Sequence, residues 1–215
     1  MHYEILVEGQ TELTVLSTIM SQILGPYGKH NTWSIHKHRG IGKLPENLAE
    51  RPPVGAQGLL SVLPAKLRAY GREQDDNLVV VVLVDLDARP DCRIFKQSLV
   101  QVLDYCPQKP RCLFRIAIEE MEAWFLGDRA ALLLAYPDAD RRVLQQYQQD
   151  SQCGTWEILV RAVMHEDHLP QHRSPKMMEL KRRIAANISR YMDVEKNLSP
   201  SFQCFRDGLR RMQSN

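Results

Sequence analysis

Residues 78–87 read Leu78-Val79-Val80-Val81-Val82-Leu83-Val84-Asp85-Leu86-Asp87. Seven successive apolar residues, most of them Val, favour a central parallel strand buried on both faces. The run stops on two carboxylates, and two other apolar runs stop in the same way. Residues 3–7 lead into Glu8-Gly9-Gln10-Thr11-Glu12, and residues 112–118 lead into Glu119-Glu120-Met121-Glu122. In open parallel sheets, ligands and catalytic groups gather outside the carboxyl ends of the strands. Three acidic clusters far apart in sequence are therefore expected on one edge of one sheet. Carboxylates brought together repel unless a cation lies between them, and hard oxygen donors suit Mg2+ or Mn2+.

Working outward, strand-like runs alternate with helical spacing. Residues 11–24 carry Leu13, Leu16, Ile19, Met20 and Ile23 on one face, and Gly25-Pro26 stops them. Residues 32–36 read as a second strand. Residues 40–58, with three prolines and several glycines, read as a long loop of the kind that tends to be functional. Helical segments are expected at 59–70 and 91–103, and a further strand at 113–118. This alternation predicts an α/β class: a Rossmannoid core of about four parallel strands flanked by helices over residues 1–128. Residues 129–215 show only helical patterns and are expected to form a helical extension packed on that core. Within them, Ser199 with Pro200 reads as an N-cap followed by Pro at the first helical position.

Composition narrows the class. The chain has 215 residues, 44% hydrophobic and 25% charged, which suits a globular protein with a sizeable core. The formal net charge of +2 is unevenly spread: residues 176–211 hold nine Lys and Arg against four Asp and Glu, which leaves the remainder at −3. A basic tail beside an acidic edge suits a metal-dependent enzyme acting on a polyanion, although solvated helices would read the same way. Five cysteines without a CxxC pair argue against a disulfide framework and a thiolate zinc site. No signal-peptide pattern and no apolar run of about 18 residues is evident, so a cytoplasmic protein without membrane association is expected.

Each acidic cluster has a plainer reading. Gly9 can make a turn, Thr11 can cap a helix, and Glu12 can complement the helix dipole. That reading leaves unexplained Glu8, a charge at the end of an apolar strand. Asp85 and Asp87 lie two apart, so on a strand both would face one ion while Leu86 packs inward. Glu119, Glu120 and Glu122 either favour a helix N-terminus or, through Glu119 and Glu122, complete the acidic edge. The histidine series His165-Glu166-Asp167-His168, with His172, superficially resembles a zinc cluster, but Pro170 disrupts the helical spacing such a site needs. His36-Lys37-His38-Arg39 reads as a phosphate-contacting strip or a solvated strand end. No Walker loop, GxGxxG or Gly-x-Ser-x-Gly elbow is present, which removes support for ATP hydrolysis, dinucleotide binding and esterase chemistry.

A strand ending in Glu8-Gly9-Gln10-Thr11-Glu12, followed by a hydrophobic strand ending in Asp85-Leu86-Asp87, resembles the Toprim domain. The likeness spans about residues 3–128 and is strongest to the nuclease branch. Residues 118–128, with Glu119-x-x-Glu122-x-Trp124, resemble small stand-alone Toprim-like proteins of bacterial defence loci, related to the overcoming-lysogenization-defect nucleases. The resemblance implies a Mg2+- or Mn2+-dependent nuclease acting in anti-phage defence beside a partner ATPase. It implies Glu8 as acid–base residue or metal ligand, and Glu12, Asp85 and Asp87 as metal ligands, with Glu119 and Glu122 as further ligands. A basic residue steadying the scissile phosphate is also implied, for which Lys176, Lys181 and Arg89 are the candidates. Nucleic-acid contacts are expected from Lys37, Arg39, Lys176, Lys181, Arg182 and Arg183. The alternative is a non-catalytic subunit of the same fold that binds and regulates a partner ATPase.

Overall fold

The computed structural model describes residues 1–165 and 174–213. Among them, β1 (His2–Val7), β2 (Thr32–Lys37), β3 (Leu78–Asp85) and β4 (Cys112–Ala117) form one parallel sheet in the order β2-β1-β3-β4. Helix α1 (Gln10–Leu24) joins β1 to β2, α2 (Leu59–Glu73) precedes β3, and α3 (Cys92–Gln101) with a short 3-10 turn precedes β4. The molecule is therefore α/β, with a Rossmann-like core. β1 and β3 occupy the centre; every residue of β3 except Asp85 is buried, as a strand apolar on both faces requires, while β1 is apolar on one face and carries His2 and Glu4 with Leu6 on the other.

The strand order reverses between β1 and β3. β2 is laid on one side of β1, and the chain then crosses to start β3 on the other. In sheets of this type the crevice at the carboxyl ends of the two strands flanking the reversal is where ligands bind. Glu8, just past β1, and Asp85, the last residue of β3, stand on its two sides.

Two apolar layers cover the sheet. Tyr3, Ile5 and Val7 pack with α1, while Leu6, Val80 and Val82 pack with Leu59, Leu63 and Leu67 of α2 and Phe95 and Leu99 of α3. The segment 38–58 has no helix or strand, as its composition predicts. Ile41, Leu44 and Leu48 nonetheless rest on the α2 layer, and Arg68 donates to the carbonyl of Glu50 at 2.7 Å and to that of Leu48.

After β4 the chain turns through α4 (Glu122–Gly127), α5 (Arg129–Ala135), α6 (Arg141–Gln146), α7 (Thr155–Met164), α8 (Pro175–Ser189) and α9 (Pro200–Gln213). These helices share one apolar cluster with β1 and α1. Trp124 lies between Phe202 and Phe205, each ring centre 5.2 Å away, and its indole N–H donates to Ser201 Oγ at 3.1 Å. Ser199 caps α9, accepting from the N–H of Phe202 at 3.2 Å. Gly127 is glycine because of this contact: a Cβ there would stand 2.4 Å from Asn197 Oδ1. No helix among the described residues is long and apolar enough to cross a membrane.

Candidate metal centre at the carboxyl edge

Glu8 follows β1 directly, and its Oε1 accepts the backbone N–H of Asp85 at 2.7 Å. Burial pushes the Glu8 carboxyl up to about 8, with Glu12 and Asp87 adding repulsion while the Asp85 N–H and Arg89 oppose them. Glu12 sits in the first turn of α1, 8% exposed, and burial raises its pKa. Asp85 is raised well above the ordinary Asp value by burial and by Glu8, Glu12, Glu122 and Glu120 in turn. No hydrogen bond among the described residues reaches its carboxylate. Burial and the neighbouring Glu122 push Glu120 up to about 7. Glu122 is 3% exposed.

One cation enters this cluster from α8. Lys181 Nζ lies 2.7 Å from Glu120 Oε2 and 3.3 Å from Glu122 Oε1, and 4.8 Å from the centre of the Trp156 ring. Burial would lower the Lys181 pKa, but Glu122 and Glu120 outweigh it and raise it. A cleft of about 250 Å³ opens over Glu8 and Glu12, bordered by Gly40 on one side and by Met178, Lys181 and Arg182 of α8 on the other.

Asp87 takes a different position from the one its spacing predicts. β3 ends at Asp85, and Asp87 has left the strand with a left-handed backbone, φ +52°. Its carboxylate faces Arg89, 3.1 Å away, and Arg89 in turn covers the Phe95 ring at 4.2 Å. Asp87 is thus beside the cluster, near enough to repel Glu8, but not aligned with Asp85 on one strand face. Gln152 holds this bend, donating through Nε2 to the carbonyls of Asp87 and Arg89, both at 2.9 Å.

Glu119 is drawn away from the other acids. Its carboxylate accepts the N–H groups of Cys153 at 3.1 Å, Gly154 at 2.9 Å and Thr155 at 2.9 Å, and also the Thr155 hydroxyl. It closes the N-terminus of α7, a helix distant in sequence and not the one that directly follows it, where the sequence offers the dipole-complementing role. Burial would raise its pKa, and these hydrogen bonds outweigh burial and lower it. Glu120 occupies the place expected for Glu119.

The basic residues divide. Lys176, Arg182 and Arg183 are exposed on α8, whereas Lys181 is directed into the acids instead of outward. Lys37 and Arg39 are exposed at the carboxyl end of β2, and Lys37 donates to Gln10 Oε1 at 2.6 Å. The histidines of this series are bonded to β1: His36 bonds Glu4, and His38 Nδ1 lies 2.8 Å from the Val7 carbonyl oxygen. Elsewhere in the tail, Lys196, Arg206 and Arg210 are paired with Asp193, Asp207 and Glu195. The His165–His172 series extends beyond the described residues, which resume at Ser174. All five cysteines are free.

Clustered, buried carboxylates with hydrogen-bond capacity to spare are the donor set of a hard divalent cation. Glu8, Glu12 and Asp85 fit that group, with Glu120 and Glu122 behind them. Among the described residues, no three His, Cys, Asp or Glu side chains are drawn round one point closely enough to hold an ion as they stand. Ligation therefore requires side-chain rotation toward the crevice.

The fold and site define an α/β protein with a parallel sheet and an acidic crevice at its reversal point. The chain belongs to the family described as domain of unknown function DUF4276, whose model matches residues 7–210. No curated protein and no solved structure matches the chain.

Proposed function

We propose that this chain is a divalent-metal-dependent nuclease hydrolysing nucleic-acid phosphodiesters. The observation that carries the reading is the placement of Glu8 and Asp85 on the two sides of the strand reversal, with Glu12, Glu120 and Glu122 in electrostatic reach. Glu8, Glu12 and Asp85 would hold Mg2+ or Mn2+, which when bound supplies Lewis-acid polarisation of the phosphate and activation of the attacking water. Where Glu12 and Asp85 hold the cation without it, Glu8, whose carboxyl burial pushes up to about 8, would instead take the proton of the attacking water. Lys181 and Arg89 are the cations nearest the acids and would steady the phosphate. Arg182 borders the cleft, Lys176 and Arg183 are exposed on the same helix, and Lys37 and Arg39 are exposed at the end of β2; these would track the backbone, so binding would weaken steeply with salt. The Toprim resemblance adds a partner ATPase and anti-phage defence to this reading.

One observation favours a second reading, a non-catalytic subunit that regulates a partner ATPase. Lys181 already neutralises part of the acidic cluster from within. The two separate on cleavage of supercoiled plasmid, single-stranded DNA and structured RNA with Mg2+ or Mn2+. Metal-dependent cutting that is lost in Asp85→Ala supports the nuclease. No cutting by the wild type, alone or with a co-purifying ATPase, selects the subunit.

A further inference from the structure

A second recess lies on the opposite flank, where β4 ends the sheet. β4 pairs with β3 alone among the described residues, so its other side is an open edge. Val80 donates to the Arg111 carbonyl and Leu86 to that of Ala117, and the register between them turns the backbone of Cys112, Phe114 and Ile116 toward that edge. Helices α3 and α9 stand on either side and leave a groove of about 480 Å³, within the range of ligand-binding cavities.

The chemistry of this groove is uneven. Its floor is apolar, formed by Phe114 and Ile116, while Arg93 and Lys96 of α3, Arg115 of β4 and Arg211 of α9 line its sides. None of the four cations makes an ion pair among the described residues. Arg115 is fixed by bonds to the carbonyls of Cys204 at 2.8 Å and Phe114 at 2.7 Å, and α9 passes it at Gly208, where a Cβ would stand 2.2 Å from Nη2. Burial lowers the Arg115 pKa, and the like charge of Arg211 lowers it further. Asp150 lines the same groove and accepts from the Ser199 hydroxyl and the Ser201 N–H, so the four cations face a single carboxylate there. Four cations against one carboxylate around an apolar floor leave a net positive groove, complementary to a ligand that is both anionic and apolar. A sugar–phosphate backbone supplies the charge but no branched aliphatic group to bury against Phe114 and Ile116.

We infer that the β4-edge groove is a docking site for a segment of a partner protein that carries acidic and aliphatic side chains together. The carboxylates meet Arg93, Lys96, Arg115 and Arg211, and the aliphatic groups fill the floor. The site is distant in sequence and in the sheet from Glu8 and Glu12, and it stands whether or not the acidic crevice cleaves nucleic acid.

The test is selection of a displayed library of random dodecapeptides on the full-length chain, followed by binding of the selected peptides to wild type, Arg93→Glu/Lys96→Glu and Glu8→Gln. Arg93 and Lys96 are exposed, so their reversal leaves the core intact. Selected peptides should combine Asp or Glu with Leu, Ile or Val, and the double variant should weaken them about tenfold or more. Glu8→Gln should bind them as the wild type does. Three results would overturn the inference: no enriched peptide, enriched peptides that bind the double variant equally well, or an oligonucleotide whose binding is lost on the same double variant.

Discussion

The backbone N–H of Asp85 donates to Glu8 Oε1 at 2.7 Å, tying the last residue of β3 to the first residue beyond β1 across the reversal of the sheet. The bond ties the Glu8 carboxylate to the Asp85 backbone at a part-buried edge, and desolvation there raises both pKa values. A carboxyl whose folded pKa is raised contributes stability below its unfolded pKa and loses that contribution as pH climbs through the folded value. Without divalent cation, the protein should therefore lose stability between about pH 4.5 and about 8. Glu8→Gln should remove much of that slope and be more stable than wild type at pH 8, on the order of 1–3 kcal/mol. Thermal unfolding across that range in chelator measures it, and an unchanged slope in Glu8→Gln would refute it.

Lys181 is the internal counter-ion of Glu120 and Glu122. Lys181→Ala leaves buried Glu122 and part-buried Glu120 without it and should destabilise the fold by on the order of 2 kcal/mol, less than a fully enclosed pair because the Lys181 side chain is 25% exposed. The loss should be larger at pH 8 than at pH 6, since Glu120, near 7, ionises between them. Denaturant unfolding at the two pH values reads the difference.

Glu119 behaves oppositely to Glu8. Its pKa is lowered, so its contribution is present above the ordinary Glu value of 4.5 and vanishes as pH falls through the lower folded value. Glu119→Gln should cost about 1–2 kcal/mol at pH 7, as loss of a helix cap does. The gap between variant and wild type should narrow as pH falls from 4.5 through that lower folded value.

Gly127 receives Asn197 and Ser199 where α4 meets the entry to α9, with a Cβ at that position only 2.8 Å from the Ser199 backbone N. Gly127→Ala should destabilise by about 1–3 kcal/mol through forced backbone displacement. Tryptophan fluorescence should report it, because Trp124 packs on Phe202 and Phe205 at the same junction.

The fold was legible because the apolar run 78–84 has one sensible use, and the Gly-Pro and Pro-rich punctuation separates the helices around it. The strand order was not legible, since pairing is decided by crossover packing and not by any single run. The site divides along the same line. Glu8, Glu12 and Asp85 are positioned by elements whose ends are visible in the sequence. Asp87 and Glu119 depend on left-handed backbone at φ +52° and +59°, and on a distant loop, Gln152 to Thr155, that holds them. Lys181 carried a readable signal: Met177, Lys181, Ile184 and Ile188 recur at helical spacing, so a lysine stands within the apolar stripe of α8. Glu12 holds the same kind of place relative to Val15, Leu16 and Ile19 on α1.

Equilibrium binding of Mn2+ shows whether the carboxylates of the crevice hold a divalent cation. Titrating wild type, Asp85→Asn and Glu8→Gln at pH 7.5 by calorimetry, with thermal unfolding of each, separates binding from folding. Saturable Mn2+ binding by the wild type, a raised midpoint of about 2–3 kcal/mol equivalent at 100-fold excess over Kd, and loss of both in the folded variants is the predicted result. Equal Mn2+ binding by wild type and both variants, or none by any of them, would contradict it.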